Sequence, residues 1–239
     1  MRVPTWRLLM TYWPDRELNL ALEWALLRSV SSGASPSTIR LWLNGPCVVV
    51  GRSRRSLAEV RLEACEALGL PILRRPTAGG AVYHDEGNLN WTVVARRTDL
   101  LRNMWPDELE ATAASALLEL LGSLDLEARL EARKGVFVGD RKVSGIAMYL
   151  GRDAVMVHGT LLVRSDLSAL RAALRCKFEV ANLSELTGSE LDPWDLAPAL
   201  ARGLAEAFGA DVVEEQLAPG ERSLAEELRA EARACPEGK

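Results

Sequence analysis

Arg74 and Arg75 stand just ahead of a Gly79-Gly80 pair in the segment RRPTAGGAVYHDEGNLNW, residues 74–91. Glycines between two strand-like stretches let backbone approach a ligand and aim its N–H groups at phosphate or carboxylate oxygens. A guanidinium fork binds phosphate in two-point geometry, so arginines beside such a bend describe an anion-binding loop braced by cations. A glycine hairpin flanked by solvated arginines accounts for the same letters. A second segment, GVFVGDRKVSGIAMYLGRDAVMVHGTLLV over residues 135–163, sets Lys142 inside an apolar strand pattern, with Ser144-Gly145 behind it and His158-Gly159-Thr160 one strand later. An ammonium among inward-pointing aliphatic residues is costly to bury unless an anion meets it. Lysine is rare here, 4 against 25 arginines, which favours an anion partner. The competing reading puts Lys142 on the solvent face of its strand.

The elements that must hold these segments follow from periodicity. Trp6 to Met10 reads as a strand and Asp15 to Ser31 as a helix with Leu18, Leu22, Ala25 and Leu26 on one face. Strands over Thr38 to Leu43 and Cys47 to Arg52 flank the turn Asn44-Gly45-Pro46. Ser56 and Glu59 have the spacing of a capping box opening a helix that Gly69 ends. Further strands are expected at Pro71 to Arg75, Ala81 to His84, Asn88 to Ala95, Leu124 to Leu130, Gly135 to Val138, Arg141 to Leu150 and Ala154 to Val163. Helices are expected at Pro106 to Leu121 and near Asp166 to Leu174, Pro193 to Phe208 and Ser223 to Ala234. Hairpin-linked strands with helices between them predict an α+β fold, a mostly antiparallel or mixed sheet flanked by helices. No GxGxxG opens a helix after a first strand, which argues against a dinucleotide fold.

Composition narrows the function classes. A chain of 239 residues, 48% apolar and 26% charged, suits one compact domain. No apolar run approaches the roughly 20 residues of a spanning helix, and no secretory signal opens the chain, so a cytoplasmic protein without a membrane role is expected. Cys47, Cys65, Cys176 and Cys235 are scattered and only His84 and His158 accompany them, a poor basis for a zinc site or disulfide framework. A net charge of −4 gives no general pull toward nucleic acid. Arginines nevertheless cluster at Arg52, Arg54 and Arg55, at Arg74 and Arg75, and at Arg96 and Arg97.

Together the two segments resemble the lipoate-protein ligase A branch of the biotin/lipoate ligase and octanoyltransferase superfamily. Its loop reads RR-x-S-G-G-G-A-V-Y-H-D-x-G-N and its lysine strand G-x-K-x-S-G. VVVGR at Val48 to Arg52, HGTLLV at His158 to Val163 and V-x-NL at Val180 to Leu183 extend the likeness across about residues 5–190. The resemblance implies a class II aminoacyl-tRNA synthetase/biotin synthetase-like catalytic domain over 1–239, with a helical part from about 191 and no separate C-terminal accessory domain. It implies that Arg74, Thr77, Gly79, Gly80, Ala81, Val82 and His84 line an acyl-adenylate pocket, Asn88 supports the loop, and Ser144, Gly145, His158 and Thr160 join the substrate site. Lys142 becomes the central catalytic cation. ATP with Mg2+ and lipoate are then substrates, with no permanently bound cofactor and no metal-ligating residues in the chain. The acceptors are lipoyl domains of a 2-oxoacid dehydrogenase E2 or glycine cleavage H protein, and a small accessory ligase subunit is a further partner.

Several positions depart from the family pattern. Lys134 and Gly135 stand where an Asn-Asp pair is usual, leaving Glu131 and Asp140 as nearby acidic substitutes. Ala78 replaces the first glycine of the triple, and Ser53-Arg54-Arg55 replaces Phe-Gln-Asn. Cys176 falls close to the nucleophile position of the octanoyltransferases, and Arg175 and Lys177 beside it would favour a thiolate. Cysteine-dependent transfer of octanoate from acyl carrier protein is therefore the alternative activity, and a non-catalytic acyl-ligand binding protein a third reading. The GRGRRGR-type loop of biotin ligases is absent.

Overall fold

The computed structural model describes residues 3–100 and 103–234. The chain begins with β1 (Thr5–Tyr12) and α1 (Arg16–Ser32). Asp15 caps α1 by accepting from the Leu18 N–H, and Gly33 closes it in the left-handed region. β2 (Thr38–Leu43) and β3 (Cys47–Val50) follow, then α2 (Leu62–Ala67), β4 (Ile72–Arg74), β5 (Val82–His84) and β6 (Asn88–Arg96). After α3 (Pro106–Gly122) come four strands in series, β7 (Ala128–Glu131), β8 (Gly135–Val138), β9 (Arg141–Leu150) and β10 (Ala154–Leu162). The last third carries α4 (Leu167–Ala173), α5 (Leu183–Thr187), α6 (Pro193–Phe208), β11 (Asp211–Glu214) and α7 (Pro219–Glu227).

Eight strands form one mixed sheet in the order β11-β1-β2-β6-β10-β9-β8-β7. The β11-β1 and β1-β2 pairs are parallel and the rest antiparallel. Alternate residues of its central strands enter two cores. Ile39, Leu41, Trp91, Val93, Val155 and Val157 face α3 and α6, whereas Trp42, Val94 and Met156 face α1. Both faces of β2, β6 and β10 are buried, and polar residues among their apolar ones, Arg40, Thr92 and His158, are paired inside the fold.

Four expectations are corrected. β2 and β3 flank Asn44-Gly45-Pro46 but do not pair with each other; β3 leaves for a second sheet, ordered β4-β3-β5. Ser56 and Glu59 form no capping box. Residues Arg54–Glu59 make a 3-10 turn, α2 starts only at Leu62, and the Ser56 hydroxyl donates to the Gly51 and Ser53 carbonyls. The strand expected from Leu124 is shorter, because Asp125 takes a left-handed turn at φ 58° before β7. Likewise the final helix divides into α7 and a short 3-10 turn over Arg229–Ala232. β11 and α5 carried too few residues for a periodic signal. No helix among the described residues is long and apolar enough to cross a membrane, and Cys235 lies outside them.

Candidate active site

The loop between β4 and β5 is built around a buried guanidinium. Arg75 Nη2 donates to the Ala78 carbonyl at 2.9 Å and to the Gly80 carbonyl at 2.7 Å, while Nε donates to Thr77 Oγ1 at 2.9 Å. Burial pulls its pKa down to about 10, with Glu59 acting in the opposite direction, so it stays charged at neutral pH. With these carbonyls turned onto the cation, the bend is fixed without a side chain at its apex. Gly79 sits at φ 106°, and a Cβ on Gly51 would lie 2.5 Å from the Gly79 carbonyl oxygen. Glycine at 51 therefore lets the end of β3 seat the loop.

Behind the loop runs a buried polar chain. Arg40 Nη1 donates to Glu23 Oε1 at 2.9 Å, and Thr92 Oγ1 donates to Glu23 Oε2 at 2.8 Å. His158 Nδ1 lies 2.9 Å from Glu23 Oε2, and its Nε2 lies 2.7 Å from Thr77 Oγ1. A carboxylate only accepts, so Nδ1 carries the proton and Nε2 meets the Thr77 hydroxyl. Burial raises the Glu23 carboxyl, but His158, Arg40 and Thr92 outweigh it and hold the group below the ordinary carboxylate range. This chain ties α1 and β2 to the loop through Thr77 and Arg75.

Lys142 enters the site from β9. Its strand is bulged against β8 between Val136 and Phe137, and Gly135 adopts φ 120°. A Cβ at Gly135 would lie 2.1 Å from the Ser144 carbonyl oxygen and 2.9 Å from Lys142 Cε. The bulge thus needs glycine and makes room for the lysine stem. Among the described residues Lys142 Nζ has no carboxylate or hydrogen-bond partner; it lies 5.6 Å from the Phe178 ring centroid. Burial pushes its ammonium below the ordinary lysine range, with Glu59 opposing that shift.

Loop and lysine border one cavity of about 430 Å3. Gly79, Gly80, Ala81, Val82 and His84 line it together with Lys142, Ser144, Gly145, His158 and Thr160. Its floor is the Trp91 indole, which Gly159 admits: a Cβ there would lie 2.6 Å from the ring. Trp91 Nε1, Asn90 Nδ2, Ser144 Oγ and His84 Nδ1 are buried beside this space without a partner among the described residues. Unpaired polar groups converging on a cavity describe a ligand site rather than a packed core. Burial, Arg75 and His158 push the His84 pKa down to about 3, so its imidazole is neutral.

Three of the expected residues stand outside the wall. Arg74 lies at the end of β4 and its carbonyl accepts from Trp24 Nε1; Arg75, one residue on, is the arginine at the cavity. Successive residues of an extended chain face opposite ways, so a one-residue difference decides which guanidinium turns inward. Thr77 is the link to His158, and Asn88 Nδ2 donates to Asn90 Oδ1, placing both one layer behind the wall. Glu131 and Asp140 do not reach the cavity; Glu131 pairs with Arg129 and Lys134, and Asp140 is fully solvated.

The carboxylate at the site is Glu59, which its spacing from Ser56 disguised as a helix cap. Its Oε2 accepts from the Ala81 N–H at 2.8 Å and its Oε1 meets Lys177 Nζ at 2.5 Å. Burial raises the Glu59 carboxyl, yet Lys177 and the Ala81 N–H outweigh this and hold it below the usual range. A Cβ at Gly80 would lie 2.4 Å from Glu59 Oε2, so the second glycine of the pair accommodates the acid. Cys176 also borders the cavity at an exposed position, where partial desolvation by the cavity wall pushes its thiol up despite Arg171 and Arg61 nearby, opposite to the expectation from its flanking cations.

The family model described as the lipoyl protein ligase A/B catalytic domain matches residues 15–205. The lipoate-protein ligase A subunit 1 of Thermoplasma acidophilum is 30% identical over 244 residues, covering 93% of this chain and 91% of that one. Lipoate-protein ligase 1 of Staphylococcus aureus is 31% identical over 214 residues, and the match spans 84% of this chain but only 62% of that enzyme. A T. acidophilum protein solved with bound lipoic acid superimposes with a TM-score of 0.83 at 29% identity, over 94% of this chain and 95% of that one. The bipartite T. acidophilum lipoate protein ligase, studied with its E2 lipoyl domain, gives 0.82 at 29% identity over 95% and 92%. A lipoate-protein ligase A bound with ATP gives 0.82 at 29% identity, over 94% of each chain.

Proposed function

The chain belongs to the lipoyl protein ligase A/B catalytic-domain family, and from that premise we propose that it activates lipoate with ATP and transfers the acyl group to a lysine of a lipoyl domain. The observation that carries this reading is the ammonium of Lys142, without a carboxylate partner among the described residues, lining the same cavity as the Gly79-Gly80 bend. Joining a carboxylate to an amine needs a leaving group, and ATP supplies it when the carboxylate attacks the α-phosphorus and pyrophosphate departs. Negative charge grows on the phosphoryl oxygens during that step. A cation already desolvated and held beside them stabilises it without reorganisation, an effect worth about 3 kcal/mol for one fixed donor. The Mg2+ that accompanies ATP arrives on the nucleotide's phosphates, since magnesium binds through phosphates and one or two carboxylates.

In the second step the acceptor amine attacks the acyl carbonyl, the C–O bond to phosphate breaks, and AMP leaves. Only about one amine in 2,500 is neutral at pH 7 for a pKa near 10.4, so entry past the cations that line the cavity, Arg133, Lys134, Arg175 and Lys177, favours loss of the proton. Acceptors of this chemistry are E2 lipoyl domains and glycine cleavage H protein. The likeness to a ligase subunit over nine-tenths of both chains supports a two-component enzyme with a small accessory subunit.

Incubation with lipoate, ATP and Mg2+, then with a lipoyl domain, is expected to release AMP and add a lipoyl mass to the domain. A Cys176→Ala variant is expected to retain this activity, because the thiol is disfavoured as a thiolate. Octanoyl transfer from acyl carrier protein without ATP, abolished in Cys176→Ala, would replace the ligase reading with the transferase one. Ligand binding without either reaction, with the accessory subunit present, would leave only a binding protein.

A further inference from the structure

Among the described residues the most exposed large apolar side chain is Trp105, at 77%. Tryptophan is on average well buried, because its indole is among the largest apolar surfaces a side chain carries. Trp105 serves neither the core nor its own helix. It stands at the N-cap of α3 and makes no side-chain capping bond. That position favours a side-chain oxygen that accepts from the helix's free N–H groups, whereas an indole is a donor only. The capping that does occur runs the other way, with Glu108 Oε2 accepting from the Trp105 N–H at 2.9 Å. A serine at 105 would suit α3 better.

What Trp105 does stand beside is the cavity. Asp107, two residues on, meets Arg133 Nη2 at 3.3 Å, and both oxygens of Glu110 accept from the Arg133 N–H at 3.1 Å. Glu110 is buried and Arg133 is held at φ 63°, so the turn between β7 and β8 is fastened to the start of α3. Arg133 and Lys134 of that turn border the cavity with mostly exposed side chains, which makes the turn part of its rim. The rim offers little free charge. Arg133 pairs with Asp107, Lys134 with Glu131 at 3.1 Å and Lys177 with Glu59 at 2.5 Å. Exposed pairs of this kind add little to holding a partner. The feature beside this rim that has no partner within the chain is the indole.

The transfer step indicates what the indole receives. A lysine spans about 6 Å from Cα to Nζ, so an acceptor amine reaches the cavity only when the backbone that carries it rests on the rim. We propose that Trp105 is the apolar anchor against which the acceptor lipoyl domain docks while its lysine enters the cavity. This rests on the ligase reading and deepens it by giving the acceptor a surface. A single tryptophan packed against a partner supplies a large share of the energy of a small interface. Its mounting on α3, itself fastened to the rim, limits the ordering that docking requires. Because the neighbouring charges are already paired, the contact depends little on ionic strength.

Steady-state transfer with the accessory subunit present tests the proposal, with the lipoyl domain varied and ATP and lipoate saturating. Trp105→Ser exchanges the indole for a capping hydroxyl, so its melting temperature is expected to hold or rise. Its KM for the lipoyl domain is expected to rise about 10- to 30-fold, with kcat and lipoyl-AMP formation within about twofold of wild type. Trp105→Phe is expected to recover most of that loss. Val213→Ser removes an exposed apolar side chain from β11, at the other edge of the sheet from β7, and is expected to change nothing. An unchanged KM in Trp105→Ser would overturn the docking. So would weaker lipoyl-AMP formation that excess accessory subunit restores, which would assign the indole to that subunit, or a lower melting temperature with equal loss of both steps, which would make it structural. A wild-type chain that makes no lipoyl-AMP with its accessory subunit would sink the ligase reading. Calorimetric binding of the lipoyl domain, weakened in Trp105→Ser, would even then uphold the surface.

Discussion

Lys142 illustrates a residue kept at a cost to the fold. Its ammonium is charged in the unfolded chain at neutral pH, whereas burial lowers its pKa in the fold and so disfavours the charged form inside. The folded state therefore forfeits stability at every pH below that lowered pKa and regains it only in alkali. Lys142→Met is expected to raise the melting temperature in the absence of ligand by about 2–4 °C, the equivalent of roughly 1 kcal/mol in a domain of this size. Adenylation by the same variant is expected to fall at least about 100-fold. Parallel thermal melts with and without ATP and lipoate separate the two effects, because ligand binding stabilises only a protein that binds it. A variant that is both less stable and still active would show that Lys142 is an ordinary surface cation.

Among the elements, α1 matters most to the site although it contributes only Leu20 to the cavity wall. It places Glu23 where Arg40 of β2, Thr92 of β6 and His158 of β10 converge, and His158 passes the constraint to Thr77 of the loop. Glu23→Gln keeps the shape but leaves the fully buried Arg40 without its counter-charge, a change that typically costs about 3–5 kcal/mol. The pH dependence has a definite sign. Glu23 has a depressed folded pKa, so its stabilisation is complete above the ordinary value of 4.5 and is lost as pH falls through the lower folded value. Wild type and Glu23→Gln are expected to differ most near neutrality and to converge in acid, checked by urea unfolding along a pH series. A constant gap down to low pH would mean that Glu23 acts by shape rather than charge. Either way the loop's position depends on an ion pair one layer behind it.

At the scale of the molecule, the chain's two ends are sewn together. β11 adds to the sheet edge along β1, with Thr5 opposite Asp211 and Leu8 opposite Glu214. Arg7 of β1 and Glu221 of α7 form a buried pair at 2.5 Å that also engages Ser35 and Thr38. α7 then packs on α1, with Ala225 and Leu228 in the same core as Leu22 and Leu26. We propose that the part beyond residue 191 is integral to one catalytic unit. Truncation after Gly209 removes the partner of Arg7 and uncovers this core. It is expected to abolish the single cooperative melt, measured by calorimetry. A truncated chain that melts as sharply as the full one would make the C-terminal part an appendage.

Local signals were legible in the residues because their causes are short-ranged. Asp15 and Gly33 bracket α1, Pro193 and Gly209 bracket α6, and Gly139-Asp140 turns β8 into β9. The anion-binding bend and the lysine strand were likewise readable, since each occupies one short segment. Their meeting was not, nor was the identity of the arginine that braces the loop: Arg74 and Arg75 are equivalent letters until a sheet gives the strand two sides. Glu59 looked like a helix cap because a spacing of three is all that capping requires. Its actual partner, Lys177, lies 118 residues away. The departure of β3 into a second sheet and the arrival of β11 depend on the same kind of contact. Chain order constrains neighbours within a few residues strongly, whereas pairings across many residues are chosen by which complete set of strands and cores buries its apolar faces and pairs its charges at once.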